Sequence, residues 1–133
     1  MKYRILGKTG FEVSVISMGC WGIGGQWGPI EENQAIQTID AAFDAGVNLF
    51  DTADSYGLGQ SEFYTGKALK NKRDQIFIAT KVGNWGRRIG DPVGLKSIHS
   101  IIIVATPVCI DLARTILIFI SAMWALQKIL KFL

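Results

Sequence analysis

Apolar and polar positions change their rhythm several times along the chain, and each change predicts an element. The opening "KYRILGKTGFEVSVISMG" places short apolar runs on either side of Gly7, Lys8, Thr9 and Gly10, with β-branched Val13, Val15 and Ile16 after the turn. That pattern predicts a two-stranded hairpin. The next stretch, "CWGIGGQWGP", is dense in glycine and aromatic residues, as a loop is where chain and ligand, or chain and chain, come close. In "EENQAIQTIDAAFDAG" the apolar residues Ala35, Ile36, Ile39, Ala42 and Phe43 recur at helical spacing, acids open the first turn and Gly46 follows the end, so an amphipathic helix is predicted. The run through Val47, Leu49 and Phe50 predicts a strand buried on both faces. A second helix is predicted from Ser61 to Leu69 with Ser61 as its N-cap, and a further strand from Ile76 to Val82.

Strands alternating with helices over short connections imply right-handed crossovers and a parallel sheet, either doubly wound or the opening of a (β/α)8 barrel. The polar residues separate the two. Asp51, Tyr56 and Lys81 all fall at or just past the carboxyl ends of predicted strands, the rim where barrel enzymes carry their chemistry. No G-x-G-x-x-G follows the first strand; "GCWGIGG" has another spacing. The sequence therefore predicts an α/β chain holding a truncated (β/α)8 TIM barrel: an N-terminal hairpin and the first three strands, with the edge of the third left open.

Near residue 100 the pattern changes. From Ile101 to Leu133 the chain is almost wholly apolar, with Asp111, Arg114, Lys128 and Lys131 as its charges. Two regions follow, a barrel part over 1–100 and an apolar tail over 101–133 that is predicted to be helical. The 133 residues suffice for one modest domain. A net charge of +3, spread without a basic run or an aromatic and basic stripe, makes nucleic acid a poor partner. Two cysteines, Cys20 and Cys109, and the absence of a secretory-type opening point to a reducing, cytoplasmic setting.

Three residue types meet on the predicted rim. A tyrosine passes its proton to a carbonyl oxygen more readily when an ammonium favours the phenolate, and a carboxylate keeps that ammonium in place. Tyr56, Lys81 and Asp51 suit those roles. Through "GVNLFDTADSYGLGQSE", "GKALKNKRDQIFIATKVG" and "RILGKTGFEVSVISMGCWGIGG", the chain resembles the aldo-keto reductase superfamily over roughly residues 1–100. The resemblance implies a (β/α)8 barrel that reduces aldehydes or ketones with NADPH and without a metal. It implies that the tyrosine matching Tyr56 is the general acid, that the lysine matching Lys81 makes that phenol more acidic, and that the aspartate matching Asp51 supports the lysine. Trp21 and Asp51 match positions near the nicotinamide. Read without the family, Tyr56 is a turn or packing residue, Trp21 and Trp27 cover the mouth, and Cys20 is a small buried hydrophobe.

The family uses a histidine at the end of its fourth strand. His99, the chain's one histidine, lies too near Lys81 for that place and belongs to a helix beginning near Pro92. Beyond Ser100 the likeness stops, but the codons offer a reason. Each residue fixes most of its first two codon bases, so reading one frame over from Val104 allows C-H-A-S-L-Y-R-L-G-T-D-Y-I-D-L-Y-Q-C-H-V-G. The final Val-Gly is forced, because Met123 and Trp124 each have a single codon, and the preceding His spans Ala122 and Met123. The expectation is a frame change near Ile101 to Val104, leaving an inactive, truncated reductase. The rival expectations are a small membrane-associated protein acting through its apolar tail, which Pro107, Asp111 and Arg114 interrupt, and an interaction module that pairs its open edge with a full-length reductase.

Overall fold

A computed structural model describes residues 1–82 and 115–119. The hairpin forms as the turn residues predict. Strand β1 (Tyr3–Ile5) pairs antiparallel with β2 (Glu12–Ser14), Arg4 opposite Val13. Thr9 closes the turn from its side chain, its hydroxyl donating to the Leu6 carbonyl at 2.6 Å and accepting from the Phe11 N–H at 3.1 Å. The run that reads as one strand after the turn divides. After Ser14 the chain bends, and β3 (Met18–Gly19) enters a second sheet.

That sheet has the order β3-β4-β5-β6, with β4 at Leu49–Asp51, β5 at Phe77–Val82 and β6 at Thr115–Phe119. All its pairings are parallel. Helix α1 (Glu32–Asp44) links β3 to β4, and α2 (Gln60–Leu69) links β4 to β5. In α1, Ala35 and Ile39 lie one turn apart and are completely buried, as the predicted stripe requires. They join Cys20, Ile23, Phe50, Leu69, Ile76 and Ile78 in one core between helices and sheet. The ion pairs Lys67–Glu32 and Lys72–Asp40 tie the outer surfaces of this layer together.

Two expectations are corrected. Residues 115–119 of the tail, Thr-Ile-Leu-Ile-Phe, form strand β6 rather than helix, in register with β5 from Ile78 opposite Thr115 to Val82 opposite Phe119. A short continuous apolar run carries no period that separates strand from helix, and β-branched residues beside an open ladder favour the strand. For the same reason the edge of β5 is not left open. The rest of the tail, the helix near Pro92 and His99 lie outside the described residues. Among the described residues, no helix is long and apolar enough to cross a membrane.

The hairpin is fastened to the sheet by Asn48. Its Oδ1 accepts the Ser14 N–H at 2.6 Å, its Nδ2 donates to the Glu12 carbonyl at 3.0 Å, and its own N–H donates to Ser14 Oγ at 3.1 Å. Ser14 is 3% exposed, so Asn48→Ala strands a buried N–H and is expected to cost about 2 kcal/mol of stability. Urea unfolding of the variant checks this; a midpoint equal to that of the parent chain would contradict the role.

Candidate active site

The parallel register assembles the site. Asp51 is the last residue of β4 and lies opposite Ala79 of β5. Side chains alternate along a strand, so Ala79 and Lys81 share one face, and Lys81 stands one residue pair further towards the rim than Asp51. The Lys81 ammonium reaches back, ion-pairs with Asp51 Oδ1 and donates to the Thr52 carbonyl at 2.9 Å. Its side chain is 20% exposed and that of Asp51 43%, so the pair sits partly in solvent at the mouth.

Tyr56 follows through the largely buried connection Thr52, Ala53, Asp54 and Ser55, and opens a short 3-10 segment, Tyr56–Gly59. The Lys81 Nζ stands 5.2 Å from the centroid of its ring, within the range over which an ammonium is held by an aromatic face. The structure thus brings Asp51, Tyr56 and Lys81 into one group. Trp21 stands at the same rim directly after β3, where the Cys20 N–H donates to the Asp51 carbonyl at 2.8 Å. Its indole is 45% exposed and packs edge-on against Trp27, with centroids 5.5 Å apart.

A close backbone approach sets the distance between the two loops. At Gly57, which has φ +60°, an added Cβ would lie 2.2 Å from the Gly24 carbonyl oxygen; at Gly24 it would lie 2.7 Å from the Tyr56 carbonyl carbon. The turn after Trp21 and the turn bearing Tyr56 therefore touch where only glycine fits. Gly57→Ala is expected to cost about 2–3 kcal/mol and to shift Tyr56. Gly10→Ala, where φ is +74° but the space is open, should cost only about 1 kcal/mol. Thermal unfolding of the two variants checks the contrast, and equal losses would remove the argument from close approach.

Ser61 departs from its predicted role. Helix α2 begins one residue earlier without a side-chain cap, and Ser61 is completely buried inside it. Its hydroxyl donates to the Cys20 carbonyl at 2.7 Å and shares a 3.0 Å hydrogen bond with Thr52 Oγ1, joining the ends of β3 and β4 behind the rim. This tertiary use displaces the local one.

Residues to which the sequence reading gives no role complete the rear of the site. Glu62, 3% exposed, accepts a 2.6 Å hydrogen bond from Thr80 Oγ1. Burial pushes its carboxyl up to about 7, a nearby Asp54 carboxylate adds to the rise, and the Thr80 hydroxyl and the Lys81 ammonium oppose it. The dipeptide Ser61-Glu62 at the start of α2 is the sequence signal for this layer. Cys20 lies in the same layer, and burial pushes its thiol up to about 11 while Thr65 opposes the shift, which suits a packing residue and not a thiolate. Among the described residues, no cluster of three or more His, Cys, Asp or Glu side chains is gathered as a metal would need.

Comparison with known proteins gives the family of the chain. Residues 15–101 match the Aldo/keto reductase family, and the chain belongs to that family. It is 51% identical over 89 residues to the aldo-keto reductase YhdN of Bacillus subtilis (strain 168), covering 64% of this chain and 27% of that protein. Among solved structures, the holo form of an aldo-keto reductase from Bacillus halodurans is 41% identical, with a TM-score of 0.57 over 62% of this chain and 26% of its own. An aldo-keto reductase from Klebsiella pneumoniae, solved in complex with NADPH, shares the fold at a TM-score of 0.60 and 24% identity over 77% of this chain and 34% of its own. The chain thus spans about a quarter of the length of these two Bacillus relatives.

Proposed function

We propose that this chain carries the proton-donor half of an NADPH-dependent carbonyl reductase site, with Tyr56 as general acid, Lys81 as its partner and Asp51 as the support of Lys81. The observation that carries the reading is the single group these side chains form: Asp51 paired with the Lys81 ammonium, and that ammonium 5.2 Å from the Tyr56 ring centroid. The substrate class is an aldehyde or ketone. As its carbonyl carbon gains hydride, charge grows on the oxygen and the Tyr56 hydroxyl gives up its proton there, leaving an alcohol. The phenolate that results is stabilised by the Lys81 ammonium, which Asp51 and the Thr52 carbonyl hold in place.

When bound, NADPH supplies the hydride. Asp51 and Trp21 suit the border of its nicotinamide, since both stand at the rim with 43% and 45% of their surface open. The 133-residue chain has His99 as its one histidine and so lacks the fourth-strand histidine that the resemblance implies, and turnover by the chain alone is expected to be negligible. A frame change near Ile101 to Val104 accounts for the loss of family pattern beyond the matched residues 15–101.

Nucleotide sequencing of codons 95 to 133, followed by carbonyl-dependent NADPH oxidation by this chain and by its frame-restored form, tests the proposal. Activity is expected in the restored form only. A coding region whose second frame does not encode the string given above would dispose of the frame change, and full activity in the 133-residue chain would dispose of the half-site.

A further inference from the structure

Behind the rim lies a buried carboxyl that the proposed chemistry does not use. Glu62 is buried on α2 in the layer between that helix and β5, near the buried polar residues Thr80 and Asp54, and it accepts a hydrogen bond from the Thr80 hydroxyl at 2.6 Å. Burying an acid in such a layer opposes folding unless its hydrogen bonds repay the cost, and a leucine or glutamine of similar size would fill the space more cheaply. Thr80 directly precedes Lys81 in β5, so the two side chains leave opposite faces of the strand, one towards α2 and one towards the site. Backbone contacts hold the same spot from the β4 side. The Thr52 N–H donates to the Ala79 carbonyl at 2.8 Å, and the Asp54 N–H donates to the Lys81 carbonyl at 3.1 Å.

We propose that Glu62 is a positioning residue for Lys81, acting through Thr80: the carboxyl and hydroxyl fix the outer face of β5, and with it the tilt that lays the Lys81 ammonium between Asp51 and the Tyr56 ring. The inference rests on the reading of Lys81 as the partner of Tyr56. The charged groups facing Glu62 are Asp54, from the connection after β4, and Lys81 itself. A purely structural Glu62 would support the whole layer evenly. A positioning one acts on Lys81 in particular.

The test follows the lysine ammonium groups of the full 133-residue chain by 1H–15N NMR after 15N-lysine labelling, with Lys81 assigned by its absence in Lys81→Arg. Lys67 and Lys72, ion-paired on the outer surface, serve as internal references. Thr80→Val is expected to speed exchange of the Lys81 ammonium protons at least tenfold while leaving the two references unchanged. Thr80→Ser, which keeps the hydroxyl, should restore the parent behaviour, and Glu62→Gln, which keeps an acceptor for it, should stay close to the parent. Exchange at Lys81 that is unchanged in Thr80→Val overturns the proposal, as does acceleration shared equally by Lys67 and Lys72, which would mark a general loosening. The Thr80 pair leaves Glu62 in place and decides the matter even if a Glu62 variant fails to fold. Retention of turnover by Tyr56→Phe would sink the proton-donor reading and leave this positional result standing.

Discussion

Replacing Tyr56 by phenylalanine in the frame-restored chain is expected to lower kcat for carbonyl reduction by roughly 100- to 10,000-fold, the usual contribution of a positioned general acid, with NADPH affinity unchanged. The substitution is a clean one here. The Lys81 ammonium stands 5.2 Å from the centroid of the ring, so phenylalanine keeps the contact between cation and aromatic face and loses only the hydroxyl. The Gly24–Gly57 approach, which sets the turn, is a backbone contact and does not involve the phenol. Steady-state kinetics with a fixed aldehyde, beside a fluorescence titration of NADPH, separates chemistry from binding. Wild-type kcat in the variant would show that the proton comes from elsewhere, whereas joint loss of affinity and rate would point to a displaced loop.

Stability of the 133-residue chain is expected to fall as pH rises from about 4.5 to about 7, with Glu62 as the cause. Its carboxyl moves from 4.5 in the unfolded chain to about 7 in the folded one, chiefly through burial, with Thr80 and Lys81 opposing and Asp54 adding to the rise. The sign follows from proton binding. Between these two values the folded chain holds a proton that the unfolded chain has released, so stability declines with each step upward in pH. The favourable contribution is fully present below the unfolded value and is gone once pH has passed the folded one. Its size is of the order of 3 kcal/mol at most, one pKa unit being worth about 1.4 kcal/mol. Urea unfolding of the chain and of Glu62→Gln at several pH values checks this: the slope should flatten in the variant, and the variant should be the more stable of the two at pH 8. An equal slope in both would assign the dependence to other groups.

The proposed roles of Glu62 and Lys81 meet at one strand. Thr80 and Lys81 are neighbours on β5, one turned to the helical layer and one to the mouth, so the same two residues link the pH dependence of folding to the placement of the ammonium. A shift in pH from 6 to 8 would then alter both stability and the Lys81 environment, and Glu62→Gln should uncouple the two.

Much of the architecture was legible along the chain because it depends on local period and turn chemistry. Gly7 to Gly10 placed the hairpin, the stripe of Ala35 and Ile39 placed α1, and the alternation of strands with helices implied a parallel sheet. Asp51, Tyr56 and Lys81 could be singled out since each follows an apolar strand-like run, and in a parallel sheet such positions share one rim.

What remained hidden depends on distance through space. Ser61 has every local mark of an N-cap, yet its hydroxyl is occupied by the Cys20 carbonyl and Thr52, residues remote in sequence. Glu62 looks like an ordinary acid in the first turn of a helix until burial beside Asp54 makes it titrate near neutrality. The run Thr115–Phe119 has no period to distinguish strand from helix, and it was the unsatisfied edge of β5 that decided the matter. Local propensity and spacing are properties of neighbouring residues and survive in the sequence; burial, register and the meeting of Gly24 with Gly57 belong to residues that only folding brings together, and only the tertiary structure could settle them.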